Sequence, residues 1–218
     1  DVSNKAAPVQ ISARTYSGAG YVHQGWLTED HRYFYEDDEL DETNFGHNTY
    51  TYIWDMADLD NPVLVHTHIG PTTAIDHNQF IVGNRSYQAN YRAGLRILDI
   101  ANPLAPFESG YFDIYPANNN ANFNGAWGNY PFFDSGTVIV SGIEQGLFVL
   151  QPRPLCTWRD LDCSCQVDAL DMAQAAQSWN CGLADACYRD RVDRDNDGVV
   201  TVTDVMKFSA QWGWMCPA

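Results

Sequence analysis

Basic residues are scarce in this sequence. Only 12 Lys and Arg stand against 28 Asp and Glu in 218 residues, which gives a formal net charge of -16 at pH 7. A chain of this charge repels the phosphates of nucleic acids and the headgroups of anionic membranes. We therefore expect no nucleic-acid partner.

Long apolar runs and several catalytic motifs are also missing. No stretch approaches the roughly 20 apolar residues that a membrane helix needs, so we expect no membrane insertion. No charged-then-apolar signal peptide opens the chain at Asp1, which favours a soluble, processed protein. The sequence contains no Walker loop, no dinucleotide-binding fingerprint and no GxSxG nucleophile motif, so it offers no signal for those enzyme classes.

Cysteine is absent from the sequence before position 156. All six cysteines lie in the C-terminal part of the chain, at positions 156, 163, 165, 181, 187 and 216. An even number of cysteines in so short a region predicts disulfides made outside the cytoplasm, although the spacing leaves the pairing open. The alternative is a set of free, buried thiols.

The same region contains the stretch DRDNDGVVTVTD, Asp193 to Asp204. Its oxygen ligands stand at the spacing of a twelve-residue calcium loop, and Gly198 lies at position six, where the loop must turn sharply. A zinc site is disfavoured, because the chain has no CxxC pair and no His beyond position 77. A solvated acidic turn is the other alternative. The predicted ligands are Asp193, Asp195, Asp197, Val199 through its carbonyl, Thr201 and Asp204.

An earlier copy of this loop, DLDCSCQVDALD, runs from Asp160 to Asp171, and an amphipathic helix follows each copy. Cys165 stands where the second loop has glycine, so we expect two calcium ions with the first site the weaker. This duplicated module, from about residue 156 to 216, resembles type I dockerins, whose loops carry Asp at position twelve. The resemblance implies that the two helices dock on a cohesin-like protein. The predicted ligands of the first loop are Asp160, Asp162, Ser164, Gln166, Asp168 and Asp171.

The part of the chain before this module predicts strands. Short β-branched and aromatic runs alternate with Gly, Asn, Asp and Pro turns. Similar turns follow Asp1, Asp55 and Asp99, and we expect a strand to end at each Asp and another strand to follow each turn. The separation of Asp55 and Asp99 along the chain suits a four-stranded propeller blade. The sequence thus predicts a mainly β fold, a partial β-propeller of about three four-stranded blades, followed by a small α module with two EF-hand-like calcium loops.

The strings IDHNQFIVGNRSYQANY, YRAGLRILDI and IEQGLFVLQ carry a further resemblance. They are similar to the LVIVD-repeat β-propellers of the choice-of-anchor B family, which are secreted or surface-attached bacterial proteins without a settled activity. The expected domains are residues 1–154, the propeller region, and 155–218, the dockerin-like module. Because three blades do not close a propeller, we expect these to be the C-terminal blades of a longer precursor or sheets completed by neighbouring copies.

Three groups in the propeller region are weaker candidates for a site. His66, His68 and His77 are metal-ligand types, but repeated structural roles between blades are the favoured interpretation. The acidic run from Glu36 to Glu42 offers hard oxygen ligands for calcium in Glu36, Asp37, Asp38 and Asp41, yet it lacks the loop spacing, so a solvated loop is favoured. Aromatic side chains could stack on carbohydrate or simply fill the space between blades. They are Trp26, Trp54, Trp127, Tyr33, Tyr35, Tyr50, Tyr52, Tyr91, Tyr111 and Tyr115.

These observations favour an extracellular or cell-surface bacterial protein that binds calcium. We expect attachment or assembly through the dockerin-like module and the propeller surfaces, with a cohesin-like partner or self-association into an oligomer or filament, and no catalytic residues. The alternative is a secreted propeller enzyme, a glycan hydrolase or lyase, targeted by the dockerin-like tail.

Overall fold

The computed structural model describes residues 1–152, 158–161, 164, 166–189 and 191–215. The chain divides into two compact units, Asp1–Gln151 and Pro152–Ala218. The first unit contains β-strands and one short helix, and the second contains two helices. The boundary expected between residues 154 and 155 lies outside the described residues.

Three antiparallel sheets follow one another along the first unit, and in each the strands lie side by side in chain order. The first consists of β1 (Val22–Leu27), β2 (Tyr33–Asp38), β3 (Tyr50–Asp55) and β4 (Val63–Ile69), with helix α1 (Asp41–Phe45) between β2 and β3. The second consists of β5 (Asn78–Val82), β6 (Arg85–Ala89), β7 (Leu95–Asp99) and β8 (Phe107–Phe112). The third consists of β9 (Ala126–Tyr130), β10 (Val138–Gly142) and β11 (Gly146–Leu150). Successive up-and-down sheets of this size are propeller blades, so the first unit is propeller-like.

The expected three blades of four strands are confirmed for the first two sheets only. Among the described residues the third sheet has three strands. The strand expected after Asp1 is also wrong, because residues 1–21 contain none. There the backbone N–H of Val9 donates to the carbonyl of Asp1 (3.0 Å), and Val9 and Ile11 stay exposed. The turns at Asp55 and Asp99 do end β3 and β7.

Side-chain amides link the first strands of neighbouring sheets. The Gln24 amide on β1 donates to the carbonyl of Gln79 on β5 (2.9 Å), and its oxygen accepts from the Gln79 N–H (2.8 Å). On β9, the Asn129 amide donates to the carbonyl of Tyr87 on β6 (3.1 Å). Because these bonds replace water at buried strand edges, they fix adjacent sheets against each other.

An apolar core lies between the first and second sheets. Tyr35 and Ile53 of the first sheet pack against Ile81, Leu98 and Ile100 of the second, and all five side chains are buried. Burial of such side chains contributes about 1.5–3 kcal/mol each. The aromatic and aliphatic residues of the strands therefore hold neighbouring sheets together.

The second unit contains α2 (Ala169–Ala176) and α3 (Val202–Ser209). Each helix begins with a capping box, from Asp168 to Asp171 in α2 and from Thr201 to Asp204 in α3. The prediction of one helix after each loop is therefore confirmed. Among the described residues, no helix has the length and apolarity that crossing a membrane requires.

Candidate metal centre

The duplication read from the sequence is visible in the backbone of the second unit. The N–H of Val200 donates to the carbonyl of Cys181 (3.0 Å), and the N–H of Val167 donates to the carbonyl of Trp214 (2.9 Å). Val167 and Val200 occupy equivalent positions of the two copies, as do Cys181 and Trp214. Each loop is thus bonded to the segment that follows the other copy's helix. The two copies form one paired structure rather than two separate hairpins.

The second loop brings three predicted ligands together. Ligand oxygens of Asp193, Asp195 and Asp197 all lie within 4.8 Å of one another. Asp193 is fully buried, and its Oδ2 accepts from the Tyr188 hydroxyl (2.7 Å) and from the N–H of Gly198 (2.9 Å). Its Oδ1 is also buried but accepts no hydrogen bond. A buried carboxylate oxygen without a hydrogen bond is an available ligand for a cation.

The turn at position six has the backbone that the pattern requires. Gly198 has a φ of +86°, in the left-handed region that favours glycine. A Cβ atom there would lie 2.9 Å from Cδ1 of Leu183. At position seven, the N–H of Val199 donates to Oδ1 of Asp197 (2.9 Å). The loop therefore closes around its acidic residues by local hydrogen bonds.

Asp204 ties the loop to the start of α3. Its buried Oδ1 accepts from the backbone N–H of Arg194 (2.5 Å) and of Asp195 (3.2 Å), and its Oδ2 accepts from that of Thr201 (2.8 Å). Burial alone would raise the pKa of Asp204, but these donors, Thr201 first, hold it below the ordinary value. The Thr201 hydroxyl also bonds Oδ2 (3.2 Å). Positions nine and twelve are thus held together by the helix cap.

The first loop repeats part of this arrangement. Asp171 is buried, its Oδ1 accepts from the N–H of Leu161 (2.6 Å), and its Oδ2 accepts from the N–H of Asp168 (2.8 Å). These bonds match those of Asp204, which stands at the same position of the second loop. The carboxylate at position twelve therefore has the same anchoring role in both copies.

The remaining predicted ligands of the first loop differ from their counterparts. Asp160 is buried and accepts from the N–H of Ser164 (3.0 Å), while the Ser164 hydroxyl donates to the carbonyl of Gln166 (3.0 Å). Two predicted ligands thus bond each other and compete with an ion. Asp162, the predicted ligand at position three, lies outside the described residues. The lower affinity expected of this loop stays a prediction.

A small apolar core and a disulfide support both loops. Phe208, Val192 and Val200 are fully buried in a cluster with Leu161 and Ala175. Cys181 and Cys187 form a disulfide. The expectation of disulfides is confirmed for this pair, whereas the other four cysteines lie outside the described residues. The core and the bridge fix the segment between the two loops.

The two helices leave an apolar groove on their outer side. The groove is lined by Met172, Ala175, Ala176, Trp179, Val205 and Phe208. Trp179 and its counterpart Trp212 are 52% and 62% exposed, and Met206 on α3 is 66% exposed. Exposed side chains of this size on one small unit are typical of an interaction surface.

The acidic run of the first unit is buried, so the favoured interpretation of Glu36 to Glu42 as a solvated loop is wrong. Glu36, Asp37 and Asp38 lie on β2, between β1 and β3, and Asp41 opens α1. All four side chains are buried. Groups outside the run cover these acids, since Tyr16 and Gly20 bond Asp38 and Gln79 bonds Asp37, and local charge density does not report such contacts.

The predicted histidine candidates do not come together. Among the described residues, Asp193, Asp195 and Asp197 form the only set of three ligand atoms within 4.8 Å of one another. His77 instead stacks on His23, with ring centres 4.6 Å apart, and its ring bonds the carbonyl of Trp127. These contacts bridge three sheets, as a structural role requires.

The ten aromatic candidates divide between core and surface. Tyr35, Tyr52, Trp54 and Tyr91 are buried, which favours filling between the sheets. Exposed members remain as candidates for stacking on a sugar ring. They are Trp26, Tyr111 and Trp127.

Comparison with known proteins leaves the family open. No protein-family model matches this chain, and no curated protein does. Among solved structures, the chain is similar to the periplasmic gluconolactonase PpgL of Pseudomonas aeruginosa, with 14% sequence identity and a TM-score of 0.47. The match covers 61% of this chain and 37% of that one. The chain therefore spans little more than a third of that enzyme's length, and the expectation of a glycan hydrolase or lyase stays a prediction.

Proposed function

We propose that this chain is an extracellular, calcium-binding attachment protein of a bacterium. The observation that supports this most strongly is the second loop, where Asp193, Asp195 and Asp197 converge and a buried oxygen of Asp193 lacks a partner. Calcium takes six to eight oxygens, which the loop supplies from side chains, a backbone carbonyl and water. The first loop is proposed as a second, weaker calcium site.

Calcium links the loop to the helices in this proposal. Without an ion the converging carboxylates repel one another, whereas a bound ion neutralises them and stabilises the closed loop. Because Asp204 belongs both to the loop and to the cap of α3, closure fixes where α3 begins. The ion therefore orders the groove between α2 and α3.

The groove is the proposed docking surface, for a cohesin-like protein or for a second copy. Met172 and Val205, which line the groove, occupy equivalent positions of the duplicated module, and so do the exposed Trp179 at the groove and Trp212 outside its lining. In the first unit, Tyr130, Leu147 and Val149 are 45%, 65% and 68% exposed on the third sheet. This apolar face is a second surface through which copies can assemble. Carbohydrate binding at the exposed aromatic residues is a further possibility.

Light scattering of the full chain tests the proposal. We expect particles larger than one chain in calcium, reverting to single chains in excess EDTA. Trp179→Ala combined with Trp212→Ala should abolish the assembly while calcium binding persists, and Tyr111→Ala serves as the control for loss of an exposed aromatic residue. A wild-type chain that stays monomeric in calcium, and that captures no cohesin domain, would contradict the attachment function.

A further inference from the structure

Four carboxylates of the first unit lie together inside the protein. We call Asp37, Asp41, Glu42 and Asp76 the buried acidic cluster. Asp37 lies on β2, Asp41 and Glu42 form the first turn of α1, and Asp76 precedes β5. None of them exposes more than 2% of its surface. A strand, a helix and the segment before β5 therefore contribute acids to one interior region.

Most oxygens of this cluster have no hydrogen-bond partner. Oδ1 of Asp37 accepts from the amide of Gln79 (2.6 Å), and Oδ2 of Asp41 accepts from the hydroxyl of Tyr52 (2.8 Å). The other oxygen of each residue accepts none. Neither oxygen of Glu42 accepts a hydrogen bond, and neither oxygen of Asp76 does. Buried carboxylate oxygens are normally bonded or paired, so these need an explanation.

No basic side chain explains the cluster. Among the ion pairs of the described residues, the cluster's one partner is the imidazole of His47, with Nε2 3.8 Å from Oδ2 of Asp41. Burial and, next, neighbouring carboxylates raise the pKa of Asp76, and burial followed by Asp41 raises the pKa of Glu42 to about 9. Without a cation the buried carboxyl groups therefore favour their protonated, uncharged form, whereas a bound cation would stabilise the charged form.

We propose that the buried acidic cluster binds a calcium ion. The donors are carboxylate oxygens, the ligands that hard divalent cations prefer. No three residues of the cluster have ligand oxygens within 4.8 Å of one another, so ion binding would draw the side chains inward or use water as additional ligands. Calcium accepts such an irregular set, whereas magnesium requires a near-ideal octahedron and gives up its water reluctantly.

The N-terminal segment covers this site. Asp38, next to the cluster on β2, accepts from the Tyr16 hydroxyl (2.7 Å) and from the N–H of Gly20 (2.7 Å). A Cβ on Gly20 would lie 2.9 Å from the N of Asp41, so glycine permits this close approach. Asp38 is thereby satisfied by the covering segment, while the cluster beneath keeps its free oxygens. We expect the covered ion to exchange slowly.

The test compares the full-length chain with its Asp76→Asn variant. After dialysis against calcium, metal is counted by plasma mass spectrometry, and the variant should bind one ion fewer than the wild type. Asp134→Asn, which changes an exposed acid of the same unit, should bind the wild-type number. Asp193→Asn removes a ligand of the second loop, so loss of an ion from that loop can be distinguished from loss of an ion from the buried acidic cluster. An equal ion count in Asp76→Asn and wild type would overturn the proposal.

Hydrogen exchange of the wild type provides a readout that does not depend on a variant's folding. Calcium added to EDTA-treated protein should slow exchange at least threefold in peptides covering residues 36–42 and 74–78. Peptides from 138–150 in the third sheet serve as the internal control. Unchanged exchange in the first two peptides overturns the proposal even if Asp76→Asn or a second variant, Glu42→Gln, fails to fold.

Discussion

The two units of this chain bring carboxylates together in different ways. In the second unit, the carboxylates of the second loop belong to one continuous twelve-residue stretch and are aligned by backbone N–H donors. In the first unit, Asp37 lies on β2 and Asp76 in the segment before β5, and Asp76 accepts no hydrogen bond. The carboxylates of the second unit lie close together because they belong to one loop, and those of the first unit because separate elements pack against each other.

This difference has a consequence for both stability and ion binding. The loop can close around an ion with little rearrangement, because its acids already point to one place. The cluster is held in place by a folded sheet array, so charging its buried carboxyl groups has a cost that a bound cation would offset. Substitutions in each unit therefore test the second loop and the buried acidic cluster independently.

The largest effect is expected from Phe208→Ala. Phe208 is fully buried in the core that supports both loops, and removal of a buried Phe costs about 3–5 kcal/mol. In so small a unit this should abolish both cooperative unfolding of α2 and α3 and calcium binding by the loops. Thermal unfolding followed by circular dichroism measures it. The unfolding transition of the first unit should stay unchanged and serves as the control. Loss of both transitions would contradict the prediction that the substitution affects the second unit alone.

Asp193→Ala should weaken calcium binding more than Asp160→Ala. Asp193 is one of the three aspartates whose oxygens converge. Loss of a residue that only supports a metal ligand lowers affinity about 10- to 100-fold, so loss of Asp193 itself should lower the calcium affinity of the second loop about 100-fold or more. Asp160 belongs to the loop in which Ser164 and Gln166 bond each other. Titration calorimetry of the two variants measures the difference. Equal losses would refute the ranking of the two sites.

Gly198→Ala should destabilise the second loop by about 1–2 kcal/mol, because alanine disfavours a φ of +86° and its Cβ would meet Leu183. Gly213→Ala is the matched control, since Gly213 has a φ of +78° with no atom within 4 Å of the added Cβ. Chemical denaturation compares the two. A larger loss for Gly213→Ala would show that the contact with Leu183 does not limit the loop.

The last effect is pH-dependent and concerns His68, a half-buried base of the first unit. Burial and, next, His66 lower the pKa of His68 to about 4, so folding disfavours its charged form. The unfolded chain takes up this proton below about pH 6.5, so stability is complete above that pH and falls as the pH drops toward 4. His68→Gln should remove most of this loss, which is about 2 kcal/mol at pH 4.5 for a pKa lowered from 6.5 to about 4. Denaturation midpoints at pH 7 and pH 4.5 measure it, and parallel pH profiles would contradict it.

The features that could be predicted from the sequence are those formed by residues close together in the chain. The second loop, its glycine turn and the helices after each loop follow from spacing, because their donors and acceptors lie within a few residues. The strands ending at Asp55 and Asp99 follow from turn chemistry. Residues 1–21, by contrast, contain a similar turn after Asp1 but form no strand, so the turn alone was an insufficient signal.

The buried acids show why the rest was out of reach. Glu36 to Glu42 has the composition of a solvated surface, and its burial depends on Tyr16 and Gly20 above it and on the second sheet beside it. Asp76 carries no local signal at all. Its importance comes from the acids around it, which belong to β2 and α1, far earlier in the chain. Such a site is defined by packing, which periodicity and spacing do not report.

Anomalous diffraction from crystals grown in calcium tests the account most directly. The account predicts a calcium peak between Asp193, Asp195 and Asp197, a weaker one in the first loop and a further peak among Asp37, Asp41, Glu42 and Asp76. A well-ordered second loop without a peak at saturating calcium would contradict the central claim. A peak there with none in the buried acidic cluster would leave the attachment function standing and remove the inference about the first unit.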